Sequence, residues 1–244
     1  QAELKAWNEH VDKESAPSNQ EVPSYVQVVG AVYKNSDPSD IAVTAAGGLV
    51  GEVIQVWRPR ELNTHETEWG FSCMSYEISG ALGIKMANPD KEVISFVGDG
   101  SYLLNNTDIY SSVITNNKLI IIVCDNGGFA VINRLQLFKG GNEYNNLLKS
   151  SNTPGLVDVD FAKHAESMGA KSEHVNSISD LEEAFKRAKK SDVTYVISIK
   201  THAYQWLEGS AFWDSPTLEI PTTKENKEAL KLHKEGKNKQ RQGV

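Results

Sequence analysis

Along this chain, short unbroken apolar runs take turns with longer stretches in which apolar residues recur at helical spacing. Ile41–Thr44, residues 93–97 and residues 119–123 are apolar, rich in β-branched side chains and stop at Gly, Asn, Asp or small residues. Such runs are too short for helices and fit strands buried on both faces of a parallel sheet. Residues 194–199 read as a further strand. Between the second and third runs, residues 105–116 carry Ile109, Val113 and Ile114 at helical spacing, with an asparagine at each end to cap a helix. After the first run, the small residues Ala45, Ala46, Gly47 and Gly48 lead into a helical pattern through Ile54 and Trp57. Residues 161–168 and 181–188 predict amphipathic helices, the second opened by a capping box between Ser179 and Glu182. The alternation predicts an α/β fold: a doubly wound, mostly parallel sheet of five or six strands with helices on both faces.

The 244 residues accommodate one large α/β domain, placed at residues 21–220 by the continuous alternation. Residues 1–20, with Asp12, Lys13, Glu14, Ser15, Pro17 and Ser18, read as a linker or peripheral extension, and 221–244 as a polar tail that is helical and solvated or frayed. The tail's cationic run, residues 231–241, is set against a net charge of −7 for the whole chain, which argues against nucleic acid as a partner. No signal peptide, internal repeat or apolar stretch of membrane-spanning length is seen, so no membrane partner is expected. The two cysteines, Cys73 and Cys124, suggest neither a disulfide framework nor a zinc site, and the default expectation is a reducing cytoplasm.

The candidate chemistry lies where the second and third strands end. Gly98-Asp99-Gly100-Ser101 follows one, and Asp125-Asn126-Gly127-Gly128 follows the other. Ligands of an open parallel sheet collect at the carboxyl ends of its strands, so Asp99 and Asn126 are expected side by side although 27 residues apart in sequence. A carboxylate and an amide oxygen suit a hard cation such as magnesium or calcium. The Gly100 and Ser101 amides, opening the next helix, suit the anionic phosphates that such a cation bridges.

Two such motifs, each after a strand and at this spacing, resemble the fingerprint of thiamine diphosphate enzymes. The resemblance implies thiamine diphosphate and Mg2+ as cofactors, with the metal held by Asp99, Asn126 and the Gly128 carbonyl. It further implies diphosphate contacts at Gly47, Gly48, Gly98, Gly100 and Ser101, with Val131 also against the cofactor. In the family the Asp125 position is usually asparagine, but the ligand is the second residue of the pair. Residues 68–87 resemble the family's loop and helix around the aminopyrimidine ring. Met74 is then the bulky residue that bends the cofactor, with its amide and the Ser72 carbonyl as pyrimidine contacts.

The strings Glu68-Trp69-Gly70-Phe71-Ser72-Cys73-Met74 and Ile132-Asn133-Arg134-Leu135-Gln136 narrow the likeness. With the metal motifs, they resemble the carboxyl-terminal domain of the trihydroxycyclohexane-dione hydrolases of myo-inositol catabolism, over about residues 22–220. The implied reaction is hydrolytic C–C cleavage of a cyclic 1,2-dione to 5-deoxy-glucuronate. His65 and Glu68 are candidates for proton handling. Asn133, Arg134 and Gln136 are candidates for holding the polyhydroxylated ring, Arg134 through paired bonds to a carboxylate. Trp206, Phe212 and Trp213 are candidate lid residues. The family's activating glutamate comes from a separate pyrimidine-binding domain, and nothing in this chain matches it. The expectation is therefore a catalytically incomplete piece, acting with that domain in a homodimer or tetramer. The alternative is the corresponding part of an acetolactate synthase-like or 2-oxoacid decarboxylase enzyme.

Overall fold

The computed structural model describes residues 1–18, 21–152, 155, 158–208 and 215–240. Six strands pair in parallel throughout: β1 (Ile41–Thr44), β2 (His65–Thr67), β3 (Val93–Gly98), β4 (Ile120–Asp125), β5 (Lys171–Val175) and β6 (Tyr195–Lys200). Their order across the sheet is β2-β1-β3-β4-β6-β5. The chain leaves β1 toward one edge and returns to build β3 and β4 toward the other. The reversal lies between β1 and β3, and such a switch point opens a crevice beyond the strand ends.

Alternation along each strand feeds two cores. Ala42, Ile94, Phe96, Ile120, Ile122, Ile197 and Ile199 face one side, where α2 (Tyr25–Asn35), α3 (Gly47–Val56) and α9 (Ile178–Lys189) cover them. Val43, Val93, Val97, Ile121, Val123 and Val196 face the other, under α4 (Tyr76–Ala87), α6 (Asp108–Ile114) and α8 (Phe161–Ser167). This is the expected doubly wound arrangement. The central strands β3, β4 and β6 are apolar because both of their faces are covered. The edge strands β2 and β5 carry His65-Glu66-Thr67 and Lys171-Ser172-Glu173-His174, polar sequences that hide them from an apolar-run search.

Three local expectations are corrected. The helix expected over 105–116 is the shorter α6, which starts after Thr107 without a side-chain cap; a separate helix, α5 (Asp99–Leu104), precedes it, beginning on the aspartate itself and ending where Asn105 turns extended. Asn116 does not cap by side chain but takes a left-handed backbone, φ 55°. Helix α9 is capped by Ser177, whose hydroxyl accepts from Asp180 N, two residues before the expected box. Within residues 1–20, α1 (Ala2–Glu14) buries Val11 completely beside α2, so the extension is packed against the domain.

At the other end, α7 (Ala130–Phe138) receives α10 (Lys224–Lys239): Asn226 Nδ2 donates to the Lys139 and Gly140 carbonyls at 3.1 and 2.9 Å. The rest of α10 presents a largely polar, solvent-facing surface. No described helix is long and apolar enough to cross a membrane.

Candidate functional site

Four loops meet at the carboxyl edge of the sheet. After β1, Ala46 leads into α3 and Gly47 takes φ 79°, a left-handed conformation that glycine adopts without strain. A Cβ on Gly48 would touch Val131 at 3.4 Å and the Tyr25 ring at 3.9 Å, so this loop lies against the starts of α7 and α2. At the end of β3, Gly98 precedes α5 with an ordinary extended backbone, and a Cβ there would meet nothing within 4 Å. The protein's own packing therefore does not require glycine at Gly98. Open space before a helix start is where an anion approaches the backbone.

The loop after β4 is shaped by its glycines and by a clamp. Gly127 N donates to Asp125 Oδ1 at 3.0 Å, and Gly127 and Gly128 have φ 78° and 142°. Phe129 N donates to Asn146 O and Leu148 N to Gly127 O, pinning the loop against residues 146–148. A Cβ on Gly128 would sit 2.5 Å from Asn146 O, so any side chain there would force the backbone of this clamp to shift. The fourth loop, preceding α4, holds Ser72 and Ser75 in left-handed backbone, φ 51° and 79°. Ser75 Oγ donates to Ser101 O at 2.7 Å and ties this loop to α5. Met74 and the Phe129 ring converge over Gly100, where a Cβ would lie 3.6 Å from the Met74 methyl and 2.7 Å from the ring.

Asp99 is 5% exposed. Its carboxyl is pushed from 3.8 up to about 7, mainly by burial and then by the Asp125 carboxylate, against the pull of the Gly128 and Gly100 N–H groups. Asp125 is balanced by Lys200 Nζ at 2.7 Å, which also meets Asp158. Asn126 donates through Nδ2 to the Tyr25 hydroxyl, while its Oδ1, shielded from solvent, has no hydrogen-bond partner. Burial, with the nearby Cys124 and Asp99, holds the Tyr25 phenol well above its ordinary range, so it stays neutral.

Among the described residues no group of three or more His, Cys, Asp or Glu is placed to hold a metal. The donor set is instead one carboxylate, one unpartnered amide oxygen and a glycine-rich loop. That fits Mg2+, which binds few protein oxygens and shares the remainder with phosphates and water. An acceptor left unpaired and out of water costs about 1–3 kcal/mol, an anomaly that a cation at Asn126 Oδ1 would resolve.

The other sequence candidates are placed as follows. His65 opens the edge strand β2, half-buried, with Nε2 against Thr67 Oγ1 at 3.0 Å, and burial lowers its pKa. Both oxygens of Glu68 are used within its own loop, accepting from Phe71 N at 2.8 Å and Cys73 N at 2.7 Å. Asn133 is buried and donates to Glu143; Gln136 accepts from Asn146; Arg134 lies over the Trp206 ring at 3.9 Å. All three thus meet protein partners that brace α7 against residues 143–146 and 206. Phe212 and Trp213 fall outside the described residues.

Sequence reasoning missed Tyr25, Glu77 and Phe129. Glu77, 1% exposed, accepts from Ala46 N at 3.1 Å and carries a pKa raised by burial, so it ties α4 to the β1 loop. A lone glutamate in the apolar opening of a helix was the available signal. For Tyr25 the signal was the capping box Ser24-x-x-Gln27 just before an apolar run.

Residues 45–199 match the family model of the thiamine pyrophosphate enzyme C-terminal TPP binding domain. Among curated proteins, 3D-(3,5/4)-trihydroxycyclohexane-1,2-dione hydrolase from Bacillus licheniformis is 37% identical over 183 residues, covering 75% of this chain and 29% of the relative. The Lacticaseibacillus casei protein of that name is 39% identical over 196 residues, covering 80% of this chain and 30% of the relative. The chain thus spans under a third of the length of these relatives. Among solved structures, a thiamine diphosphate-dependent 4-hydroxybenzoylformate decarboxylase from Rhodococcus jostii RHA1 superposes with TM-score 0.65 at 22% identity, over 77% of this chain and 34% of the other. At that identity it shares the fold. The chain belongs to the thiamine pyrophosphate enzymes, as a C-terminal TPP-binding domain.

Proposed function

We propose that the chain is the diphosphate-binding part of a thiamine diphosphate- and Mg2+-dependent hydrolase that cleaves the C–C bond of trihydroxycyclohexane-1,2-dione to give 5-deoxy-glucuronate. The observation that carries the cofactor half is the unpartnered Asn126 Oδ1 beside buried Asp99, at the ends of the adjacent strands β4 and β3. The reaction half rests on hydrolase relatives at 37–39% identity.

In this reading Asp99, Asn126 and the Gly128 carbonyl hold Mg2+, and the β1 and β3 loops, through Gly47, Gly48, Gly98, Gly100 and Ser101, receive the diphosphate. Asp99 binds as the anion, since a cation favours the charged carboxylate that burial alone disfavours. Val131, Ser72 and Met74 bound the cofactor's rings, with Met74 as the support over Gly100. When bound, thiamine diphosphate supplies a carbon nucleophile for the substrate carbonyl and takes up the electrons of the broken bond. His65 and Glu68 are the chain's own candidates for moving protons, and Asn133, Arg134 and Gln136 for positioning the ring. The pyrimidine-binding domain, with its activating glutamate, is proposed to come from elsewhere in a homodimer or tetramer, in a reducing cytoplasm suited to two unpaired cysteines.

The test combines the chain with a pyrimidine-binding domain, thiamine diphosphate and Mg2+, and follows consumption of the cyclic dione. Formation of 5-deoxy-glucuronate is expected. Decarboxylation of a 2-oxo acid with the dione untouched would overturn the hydrolase assignment.

A further inference from the structure

We infer that Tyr25 is a positioning residue for the metal: its phenol oxygen takes the nitrogen end of the Asn126 amide, which leaves the oxygen end to the cation. This deepens the proposed cofactor reading and rests on it.

A carboxamide has two chemically opposite ends of nearly equal size, and only the oxygen ligates a cation. Something must therefore decide which end faces the site. The Asn126 Nδ2 donates to the Tyr25 hydroxyl, while Oδ1, shielded from solvent, has no partner in the protein. An amide held for packing alone would be expected to satisfy both ends; here one end is tied and the other kept free. Partners one shell out from a metal commonly set ligand orientation in this way.

The phenol is well held for the task. Tyr25 is the first residue of α2 and is 8% exposed. On either side of it, Ser24 and Gln27 form a reciprocal capping box: Ser24 N donates to Gln27 Oε1 at 3.0 Å, and the Ser24 hydroxyl accepts from Gln27 N. His202 N donates to Pro23 O at 2.9 Å, tying the start of α2 to the segment after β6. The ring side approaches Gly48 of the β1 loop, with 3.9 Å between Cε2 and the place of a Gly48 Cβ. One side chain thus touches a loop proposed for the diphosphate with its ring and orients a proposed metal ligand with its hydroxyl. The ring packs in the core, so Tyr25→Phe keeps the packing and removes only the orienting group.

The experiment titrates Mg2+ into the full chain with thiamine diphosphate present, by calorimetry, for wild type, Tyr25→Phe, Asn126→Asp and the double variant, with thermal unfolding of each without ligand. Aspartate has an oxygen at both ends, so in that background orientation ceases to matter. Tyr25→Phe is expected to weaken Mg2+ binding about tenfold or more in the Asn126 background, the usual range for a partner one shell out, and by much less in the Asn126→Asp background. Equal loss in both backgrounds, or no loss in either, overturns the inference; a lowered thermal midpoint with unchanged Mg2+ affinity shows a structural role only and also overturns it. Absence of Mg2+-dependent binding in wild type itself removes the cofactor reading, and this inference with it, so the two failures are told apart.

Discussion

Glu52 offers a sharp test of how burial and charge are balanced beside the site. It sits on α3 at 3% exposure, and both of its oxygens accept from Leu207 N, at 3.1 and 3.2 Å. Burial pushes its carboxyl from 4.5 up to about 7, against the pull of the Leu207 N–H and of Arg134. Because the folded-state pKa is raised, the folded chain holds a proton that the unfolded chain has lost between those two values. The associated stability is fully present below pH 4.5 and is lost as pH rises through about 7. At roughly 1.4 kcal/mol for each pH unit, ionising Glu52 in the folded chain costs about 3 kcal/mol at pH 8.

Glu52→Gln removes that titration. The amide still accepts from Leu207 N, but its NH2 group is left in a buried place, a penalty of about 1–3 kcal/mol at every pH. The absolute stability therefore mixes two effects, whereas the slope with pH isolates one. Urea unfolding of wild type and variant at pH 4.5, 6, 7 and 8 gives the difference directly, since other titrating groups cancel between the two. The variant's stability relative to wild type is expected to improve by about 3 kcal/mol from the lowest pH to the highest. Parallel curves would refute the reasoning and mean that water or Arg134 keeps the carboxylate ionised at its ordinary pKa.

Other outcomes follow from single contacts. Gly128→Ala would place a Cβ 2.5 Å from Asn146 O and 3.1 Å from Leu147 Cα at φ 142°, and should cost about 2 kcal/mol or more in thermal unfolding; an unchanged midpoint would show that the 146–148 clamp yields. Lys189→Met leaves Asp40, 3% exposed by side chain, without the ammonium 2.6 Å away and should destabilise by about 1–3 kcal/mol, with a change below 0.5 kcal/mol counting against that pairing. Glu68→Ala should speed amide hydrogen exchange at Phe71 and Cys73, the two N–H groups that the carboxylate accepts; unchanged rates would mean that the loop holds its shape unaided.

The fold's centre was legible because burial on both faces writes itself into sequence as apolar runs: β1, β3, β4 and β6 lie where those runs lie. The edges were not, because β2 and β5 are polar, and strand identity there comes from pairing with β1 and β6. The break between α5 and α6 was missed because the helical spacing of Ile109, Val113 and Ile114 says nothing about where the preceding helix starts. Asp99 and Asn126 were readable as a pair, since parallel topology brings successive strand ends together. The Tyr25 contact was not, since 101 residues separate it from Asn126 and only tertiary packing brings the phenol to the amide. The polar groups of Asn133, Gln136 and Glu68 looked available in sequence, and the structure gives Asn133 Nδ2, Gln136 Oε1 and both Glu68 oxygens protein partners that no local pattern announces.

The central claim is that the ends of β3 and β4 bind a metal–diphosphate pair. Its most direct test is calorimetric titration of thiamine diphosphate into the chain, with and without Mg2+, beside an Asp99→Ala variant whose fold is verified by circular dichroism. The account predicts binding that requires Mg2+ and vanishes in the variant. Binding of equal strength without Mg2+, or retained in full by Asp99→Ala, would contradict it.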